Sequence, residues 1–339
     1  MNLPARLFAL AAETAVYGAS YGFLSYLIRS PVPLDPQPTW AQVTEIRNPV
    51  VDWARRSYPP WFLRRLLLEA KMRQDHALGI SVHYDVSNEF YELFLDKRYM
   101  FYSCADFITG RETLEEAQQN KADFILKLID PKPGQEILEL GCGWGAMLKR
   151  IHEATGDKQR LHGCTLSREQ VAYNHQRYGF DVEYKNFITA VYPEQAYDKI
   201  YSIGAWEHVR PSEVPVLLGK LHAALKPGGR LVQHFFCRLQ ERLPSAAVVS
   251  QIFFPGSINS SLRSHARASE RAGFRITHSS IHDYRPTLRC WFENLARQRE
   301  RAIELVGVPT YNRYLVFFPA SWRYFDDMTG VVVRLVLEK

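Results

Sequence analysis

Apolar and polar positions alternate along the chain in two periods, and the change of period divides it into elements. Short apolar runs that end at glycine or polar clusters predict strands at 135–140, 160–164, 181–185, 198–203, 230–236 and, further on, near 274–281 and 330–337. Helical spacing predicts helices at 112–129, 144–155, 167–178 and 212–225. Strands that alternate with helices are typical of a parallel sheet with helices on both faces. The pattern therefore predicts an α/β fold with a mostly parallel, seven-stranded sheet.

Two serines are predicted to begin helices. Ser87 precedes Asn88 and a segment whose apolar residues share one helical face, and Ser167 precedes the helix predicted to end at residue 178. A serine hydroxyl accepts a hydrogen bond from a backbone N–H group of the first helical turn, so serine is favoured at this position.

The N-terminal region carries a long apolar stretch at 7–28, with Arg6 and Arg29 at its ends. Glu13 interrupts the stretch, which argues against a secretory signal. Three interpretations are open for this predicted helix. It packs on the main domain, it lies in a lipid interface, or, as the weakest of the three, it spans a membrane.

Two further segments complete the predicted domain organisation. The proline-rich range 31–60 is predicted to be a linker, and 61–73 a basic amphipathic helix that either sits on anionic lipid or turns an apolar face to the core. We therefore expect an N-terminal helical and linker extension over 1–80 and one catalytic domain over 81–339. The range 237–270 breaks the alternation with prolines and glycine, which predicts an inserted lid over the pocket.

Composition and charge limit the classes of binding partner that suit this chain. The chain has 339 residues, 46% of them apolar, and a formal net charge of +6, which suits an anionic partner such as nucleic acid or an anionic lipid surface. No stripe of basic and aromatic residues is present, so nucleic acid is disfavoured. The five cysteines are odd in number and match no metal-ligand spacing. They predict a reduced, cytoplasmic protein without a metal site.

The most informative local pattern is a glycine loop after the first predicted strand. Glu139 ends the apolar run, and Gly141, Gly143 and Gly145 follow at alternate positions. Glycine lets backbone N–H groups approach a ligand, and three alternate glycines are not expected from packing alone. The spacing differs from the G-x-G-x-x-G of nicotinamide-binding proteins. It resembles the first motif of S-adenosylmethionine-dependent methyltransferases.

Several separated motifs together resemble the cyclopropane fatty acid synthase family, which includes the mycolic acid cyclopropane synthases. The resemblance extends from about His83 to the C-terminus. It rests on His83-Tyr-Asp-Val-Ser-Asn88, Tyr102-Ser-Cys104, Leu140-Gly-Cys-Gly-Trp-Gly145, Thr165-Leu-Ser-x-x-Gln170, Glu207-His208, His234 and Tyr284-x-x-Thr287-Leu288.

This resemblance implies a Rossmann-like class I methyltransferase fold and S-adenosylmethionine as cofactor. It implies that Tyr102 and Ser103 lie at the amino-acid end of the cofactor, together with Glu139, Gly141 and Gly143. It also implies that Thr165, Leu166 and Gln170 line the ribose side. Phe187 holds the position of an adenine-stacking aromatic residue, or else belongs to the core.

The resemblance further implies the reaction. The acceptor in this family is a cis double bond of an acyl chain, which attacks the sulfonium methyl group and then loses a proton to close a cyclopropane ring. A bound bicarbonate serves as the base, and the matching positions are Cys104, Glu207, His234 and Tyr284. His234 and Tyr284 would donate hydrogen bonds to the anion, Glu207 would accept one, and Cys104 would act through its main chain. From sequence position, the aromatic residues that could shield the cation are Trp206, Phe235 and Phe236.

Two other activities remain open at this stage. A C-methyltransferase of the same family would give methyl-branched acyl chains, and an amine N-methyltransferase shares the fold and many of the motifs. The leading prediction is an enzyme that acts on membrane phospholipid acyl chains. We expect it to lie in the cytoplasm as a peripheral protein of the inner membrane face, to contact the anionic membrane surface and not nucleic acid, and a homodimer is compatible with this.

Overall fold

The computed structural model describes residues 3–45, 87–239, 252–253 and 259–339. The predicted basic helix at 61–73 and the motif that begins at His83 lie mostly or wholly outside the described residues, as does most of the predicted lid. The chain consists of two compact units. One comprises Met1–Phe94, Arg238–Ile258 and Arg285–Gly330, and the other comprises Leu95–Cys237, Asn259–Tyr284 and Val331–Lys339.

The second unit contains the sheet, which has seven strands as predicted. The strands are β1 (Ile137–Leu140), β2 (Leu161–Thr165), β3 (Asp181–Tyr184), β4 (Tyr197–Ile203), β5 (Leu225–Arg238), β6 (Arg275–His282) and β7 (Gly330–Glu338). Their order is β3-β2-β1-β4-β5-β7-β6. The first five pair in parallel, and β6 pairs antiparallel with β7. Chain order reverses at β1, where open α/β sheets commonly bind ligands beyond the carboxyl ends of the strands.

Helices of the same unit follow the predicted positions within a few residues. They are α4 (Leu114–Ile129), α5 (Ala146–Thr155), α6 (Arg168–Arg177) and α7 (Val214–Ala224), and the unit also contains α8 (Leu262–Arg271), where no helix was predicted. Thr113 and Glu116 form a reciprocal capping box, which fixes the start of α4. Ser167 accepts from Gln170 N at the start of α6, which confirms the predicted cap.

The core has two layers because neighbouring residues of a strand point to opposite faces of the sheet. Leu138 and Leu231 belong to a cluster that includes α7 and Ala268 of α8, whereas Ile137 and Val232 belong to a cluster that includes α4 and α5. The predicted helices on both faces are thus confirmed. Residues 262–271, predicted as part of the lid, instead form helix α8, which belongs to this core.

The first unit is helical in its described part. It contains α1 (Leu3–Ile28), α2 (Pro36–Thr44), α3 (Asn88–Glu92), α9 (Arg285–Arg297) and α10 (Arg299–Asp326), the last with non-helical backbone at Gly307. Ser87 caps α3 by accepting from Phe90 N, as predicted. The predicted linker 31–60 includes a helix, α2, because Asp35 accepts from Gln37 N and Pro36 suits the first helical position.

Within this unit α10 packs against α1, α2, α3 and α9. The unit therefore joins N-terminal residues with residues 285–330, so it does not coincide with the extension predicted over 1–80. No helix among the described residues has the length and apolar content of a membrane span.

Candidate active site

The glycine loop after β1 turns sharply, and its three glycines have different surroundings. Gly141, Gly143 and Gly145 have φ angles of 75°, 54° and 74°, in the left-handed region that favours glycine. A Cβ atom at Gly141 would collide with Ala205, and one at Gly145 would collide with the carboxamide of Asn174. A Cβ at Gly143 would meet nothing within 4 Å. Two of the three glycines therefore serve packing, contrary to the sequence-based interpretation, and Gly143 leaves room for a ligand.

Asn174 of α6 holds this loop. Its side-chain nitrogen donates to the carbonyl oxygen of Gly143 at 2.9 Å and to that of Gln170 at 2.8 Å, and the residue is fully buried. Without this side chain the carbonyl groups of Gly143 and Gln170 would each lose a hydrogen bond, which costs free energy where the groups are shielded from water. Asn174 therefore stabilises the loop geometry. The sequence analysis missed this residue, although an asparagine one turn after Gln170 in a predicted helix was a signal.

Glu139 is buried at the carboxyl end of β1. Tyr201 lies opposite it on β4, and its hydroxyl group donates to Glu139 Oε2 at 2.8 Å. Burial raises the pKa of Glu139 to about 8, although the hydrogen bond from Tyr201 and the charge of Lys121 act in the opposite direction. A positively charged amino group near this carboxyl would favour its ionised form.

Ser103, predicted at the amino-acid end of the cofactor, contacts a buried lysine. Lys121 Nζ donates to Ser103 Oγ at 2.8 Å and lies 3.3 Å from the centre of the Phe101 ring. Gln118 Nε2 donates to the Ser103 carbonyl oxygen at 3.1 Å. Burial lowers the pKa of Lys121. A carboxylate next to Ser103 would therefore meet the buried amino group of Lys121, which the sequence analysis did not assign to the site.

The predicted ribose side lies at the end of β2. Thr165 Oγ1 donates to Gln170 Oε1 at 2.6 Å, so these two predicted residues are in contact, and Leu166 between them is half-buried. Phe187 is buried and belongs to the same apolar cluster as Leu138 and Cys164. Its adenine-stacking role stays a prediction.

Gly204, directly after β4, brings three predicted residues close to one point. Its N–H group donates to the carbonyl oxygen of His234 at 2.8 Å. A Cβ built at Gly204 would lie 3.1 Å from Ser103 Cβ and 4.0 Å from Glu207 Oε1. The candidate cofactor residue Ser103 and the candidate catalytic residues Glu207 and His234 therefore lie around the same strand end.

Glu207 lies in a short 3₁₀ helix, Trp206–His208, and is buried. Burial raises the pKa of its carboxyl group to about 8. The side chain is consequently neutral near pH 7 unless a positive charge approaches it.

Cys104 lies next to the segment that carries Tyr284. Its Sγ lies 3.5 Å from the carbonyl oxygens of both Ala105 and Asp283, which share the single S–H donor. Burial raises the thiol pKa to about 12, so the thiol stays protonated and is a poor nucleophile. The neighbouring Tyr284 is half-buried. This geometry joins the segments of Cys104 and Tyr284.

His234 on β5 has a partner that the sequence analysis missed. Arg334, fully buried in β7, donates from Nε to His234 Nδ1 at 2.9 Å. Burial and then the charges of Arg334, Lys121 and His282 lower the pKa of His234 well below its ordinary value. The imidazole is therefore neutral. A single arginine within the valine-rich run 331–337 was the signal in the sequence.

The candidate aromatic residues separate into two groups. Along a strand, His234 and Phe236 share one face and Phe235 points to the other. Phe235 and Trp206 both pack against His265 of α8, with ring centroids 4.8 Å and 5.6 Å from the histidine ring, within the apolar core. Phe235 therefore does not share the face of His234. Of the two phenylalanines, only Phe236 does.

Comparisons with known proteins give a matching family and similar folds. Residues 71–335 match the model of the mycolic acid cyclopropane synthetase family. A probable fatty acid methyltransferase of Mycobacterium tuberculosis is 32% identical over 293 residues, which cover 82% of this chain and 66% of that protein. The chain thus spans about two thirds of the length of this relative.

Two solved structures of similar proteins extend the comparison. The cyclopropane mycolic acid synthase MmaA2 of Mycobacterium tuberculosis is 30% identical over 271 residues, covering 74% of this chain and 93% of that protein. Its structure gives a TM-score of 0.72 at 28% identity over 78% of this chain and 98% of the other. The mycolic acid cyclopropane synthase CmaA1, complexed with SAH and CTAB, gives a TM-score of 0.71 at 27% identity, covering 78% of this chain and 98% of the other.

Proposed function

Since the chain belongs to the mycolic acid cyclopropane synthetase family of S-adenosylmethionine-dependent methyltransferases, we propose that it converts cis double bonds of phospholipid acyl chains to cyclopropane rings, with a bound bicarbonate as base. The observation that carries this proposal is the convergence at Gly204. There the end of β4 approaches Ser103 and Glu207 and bonds to the backbone of His234.

The residues of the glycine loop fit the amino-acid end of S-adenosylmethionine. Gly143 leaves open space, Glu139 offers a buried carboxyl group to an ammonium group, and Ser103 with Lys121 offers a hydroxyl group and a cation to a carboxylate. The ammonium and carboxylate groups, both on the α carbon of the methionine part of the cofactor, would thereby each meet a protein group that favours its charge.

When bound, S-adenosylmethionine supplies an electrophilic methyl group and bicarbonate supplies a base. His234 would donate from Nε2 and Tyr284 from its hydroxyl group to the anion, whose hydroxyl group would donate to Glu207. The backbone at Cys104 would complete the anion site. Phe236, on the face of His234, would shield the cationic acyl carbon.

The protonation state of Glu207 supports a charge-dependent role. Its carboxyl group has a pKa raised to about 8 by burial, so it holds a proton near pH 7 in the absence of a nearby cation. The positive sulfonium group of the cofactor would favour the carboxylate, because opposite charges stabilise each other strongly in a buried site. Glu207 would thus become an acceptor when the cofactor is bound.

The phospholipid substrate is supported by the surface of α1. Its exposed side chains include Leu3, Leu7, Phe8 and Tyr26, which are 58–76% accessible. Exposed apolar and aromatic side chains on a helix, in a chain of net charge +6, suit a peripheral contact with an anionic bilayer. We propose that this helix brings the enzyme to its substrate.

The test uses purified full-length protein, S-adenosylmethionine with a fully deuterated methyl group, and vesicles of phospholipids with cis-monounsaturated chains. Mass spectrometry and NMR of the lipids would show a ring methylene that keeps two of the three deuterium atoms. A product that keeps all three would instead indicate methyl-branched chains and overturn ring closure. Unlabelled lipids, together with methylation of a small amine offered in parallel, would overturn the acyl substrate.

A further inference from the structure

We propose that Arg334, held by Asp106, is a positioning residue that fixes His234 in its neutral Nε2–H tautomer. The role of His234 in catalysis rests on the proposed function, whereas its tautomer is a property of the folded protein alone. Nothing in the sequence places Asp106, His234 and Arg334 together, since they lie in three separate parts of the chain.

The hydrogen bond between Arg334 and His234 determines where the proton lies. Arg334 Nε carries a hydrogen atom and has no lone pair to accept another. His234 Nδ1, 2.9 Å away, must therefore be the acceptor and carries no proton. In a neutral imidazole the single proton then lies on Nε2. His234 is consequently a hydrogen-bond donor at Nε2.

Asp106 fixes the orientation of the guanidinium group. Arg334 Nη1 and Nη2 donate to the two carboxylate oxygens of Asp106 at 2.6 and 2.8 Å, a bidentate pairing that leaves Nε directed at His234. His282 Nδ1 lies 3.1 Å from Asp106 Oδ1, and His282 Nε2 lies 2.8 Å from Ser280 Oγ. The carboxylate is thus held from two sides.

Stability is a weak explanation for this buried pair. Desolvation of two charges offsets much of their attraction, so an apolar pair of similar volume often gives an equally stable protein. Burial raises the pKa of Asp106, but hydrogen bonds from His282 and Arg334 outweigh this effect and lower the pKa to about 2. The pair therefore stays ionised. Its specific effect is to fix the direction in which His234 donates a hydrogen bond from Nε2.

The fixed tautomer has a chemical consequence. With a proton on Nε2 and Nδ1 occupied by Arg334, His234 has no free lone pair with which to accept a proton from substrate. Burial, then Arg334, Lys121 and His282, all lower the pKa of His234 and so disfavour an imidazolium, while the Asp106 carboxylate is paired with Arg334. His234 can hold an anion but cannot be the base, so the base must be a separate species.

The tautomer is measured by long-range ¹H–¹⁵N NMR of histidine-labelled protein, with the His234 signals assigned from their loss in His234→Gln. We expect a pyridine-type Nδ1 and a pyrrole-type Nε2 in the wild type. The double variant Asp106→Asn/Arg334→Met keeps the side-chain volumes similar, leaves no buried charge unpaired and puts a methyl group in place of the Arg334 Nε–H donor. In this variant we expect mixed tautomers and an imidazole that titrates at higher pH.

Activity gives a second readout. The double variant should lower kcat at least roughly tenfold, change the KM for S-adenosylmethionine little, and move the acidic limb of the pH–rate profile to higher pH. The single variant Arg334→Lys keeps the charge but lacks the Nε–H donor, so it should keep the pH limb while losing kcat. Arg230→Gln is the matched control, since Arg230 also pairs with a carboxylate, Glu338, at 2.8 Å.

A pyrrole-type Nδ1 in the wild type would overturn the proposal. Unchanged tautomer and kcat in the double variant would overturn it too. Neither result would affect the proposed methyl transfer to lipids, which the labelled-methyl experiment tests separately.

Discussion

Glu139 and Tyr201 lie opposite each other on two adjacent parallel strands, and the hydroxyl group of Tyr201 donates to Glu139 Oε2 at 2.8 Å. Burial alone would raise the pKa of Glu139 further and so favour its neutral form more strongly. The hydrogen bond from Tyr201 opposes burial and keeps the pKa at about 8, close enough to neutrality for a bound cation to ionise it.

Replacement of Tyr201 by phenylalanine should therefore weaken cofactor binding. Without the hydroxyl group, the pKa of Glu139 rises further, and ionisation on binding becomes more costly. We expect the Kd for S-adenosylmethionine at pH 7 to rise roughly tenfold. The difference from wild type should shrink at higher pH, where Glu139 is ionised in both proteins. Titration calorimetry at several pH values measures this. Tyr197→Phe on the same strand is the control, and a pH-independent difference would contradict the explanation.

Removal of the side-chain amide of Asn174 should loosen the glycine loop. Asn174→Ala takes a donor from the carbonyl groups of Gly143 and Gln170, which should lower the free energy of unfolding by about 1–3 kcal/mol. It should also weaken S-adenosylmethionine binding. Asn294→Ala is the control, since Asn294 donates to the Phe94 carbonyl oxygen at 3.1 Å, outside the loop. Equal cofactor affinity in both variants would show that Asn174 does not position the loop.

Glu207→Gln should separate catalysis from cofactor binding. Loss of an acid–base group commonly costs roughly 10²–10⁴-fold in turnover, whereas the Kd for S-adenosylmethionine should stay nearly unchanged. Single-turnover kinetics and calorimetry measure the two quantities. Wild-type turnover in this variant would exclude Glu207 from the proton transfer.

The raised pKa of Glu207 also predicts that the free energy of unfolding depends on pH. A carboxyl group whose pKa is about 8 when folded, against about 4.3 when unfolded, keeps a proton in the folded state that the unfolded state releases. Wild type should therefore lose stability relative to Glu207→Gln as the pH rises from about 4.3 to about 8, by at most about 1.4 kcal/mol per pH unit. Urea unfolding at several pH values measures the difference. A constant difference would show that Glu207 is not buried as described.

Charges placed on α1 should reduce membrane binding. Leu7 and Phe8 are 58% and 65% exposed, so Leu7→Glu/Phe8→Glu should leave the fold intact while opposing contact with an anionic bilayer. Flotation with anionic phospholipid vesicles should recover less of this variant than of wild type. Val191→Glu, at an 85% exposed position in the sheet unit, is the control. Equal flotation of both variants would exclude α1 from the contact.

Local sequence was sufficient for most elements of the sheet unit. The strands and helices follow periodicity, and Ser87 and Ser167 cap helices because a hydroxyl group reaches the backbone of the first turn within a few residues. The predicted linker at 31–60 was less successful. Its prolines indicated a break, but Pro36 begins a helix, since proline suits the first turn as well as a loop.

The sequence by itself determined the α/β alternation, the glycine loop and the set of candidate residues, because these depend on spacing within a few residues. Only the tertiary structure decided which glycine leaves room for a ligand, that Phe235 packs against His265 in the core, and which side chain fixes the tautomer of His234. Arg334 lies 100 residues from His234 and 228 from Asp106. Such contacts arise when distant strands join one sheet and buried charges must find partners, and no local period encodes that choice.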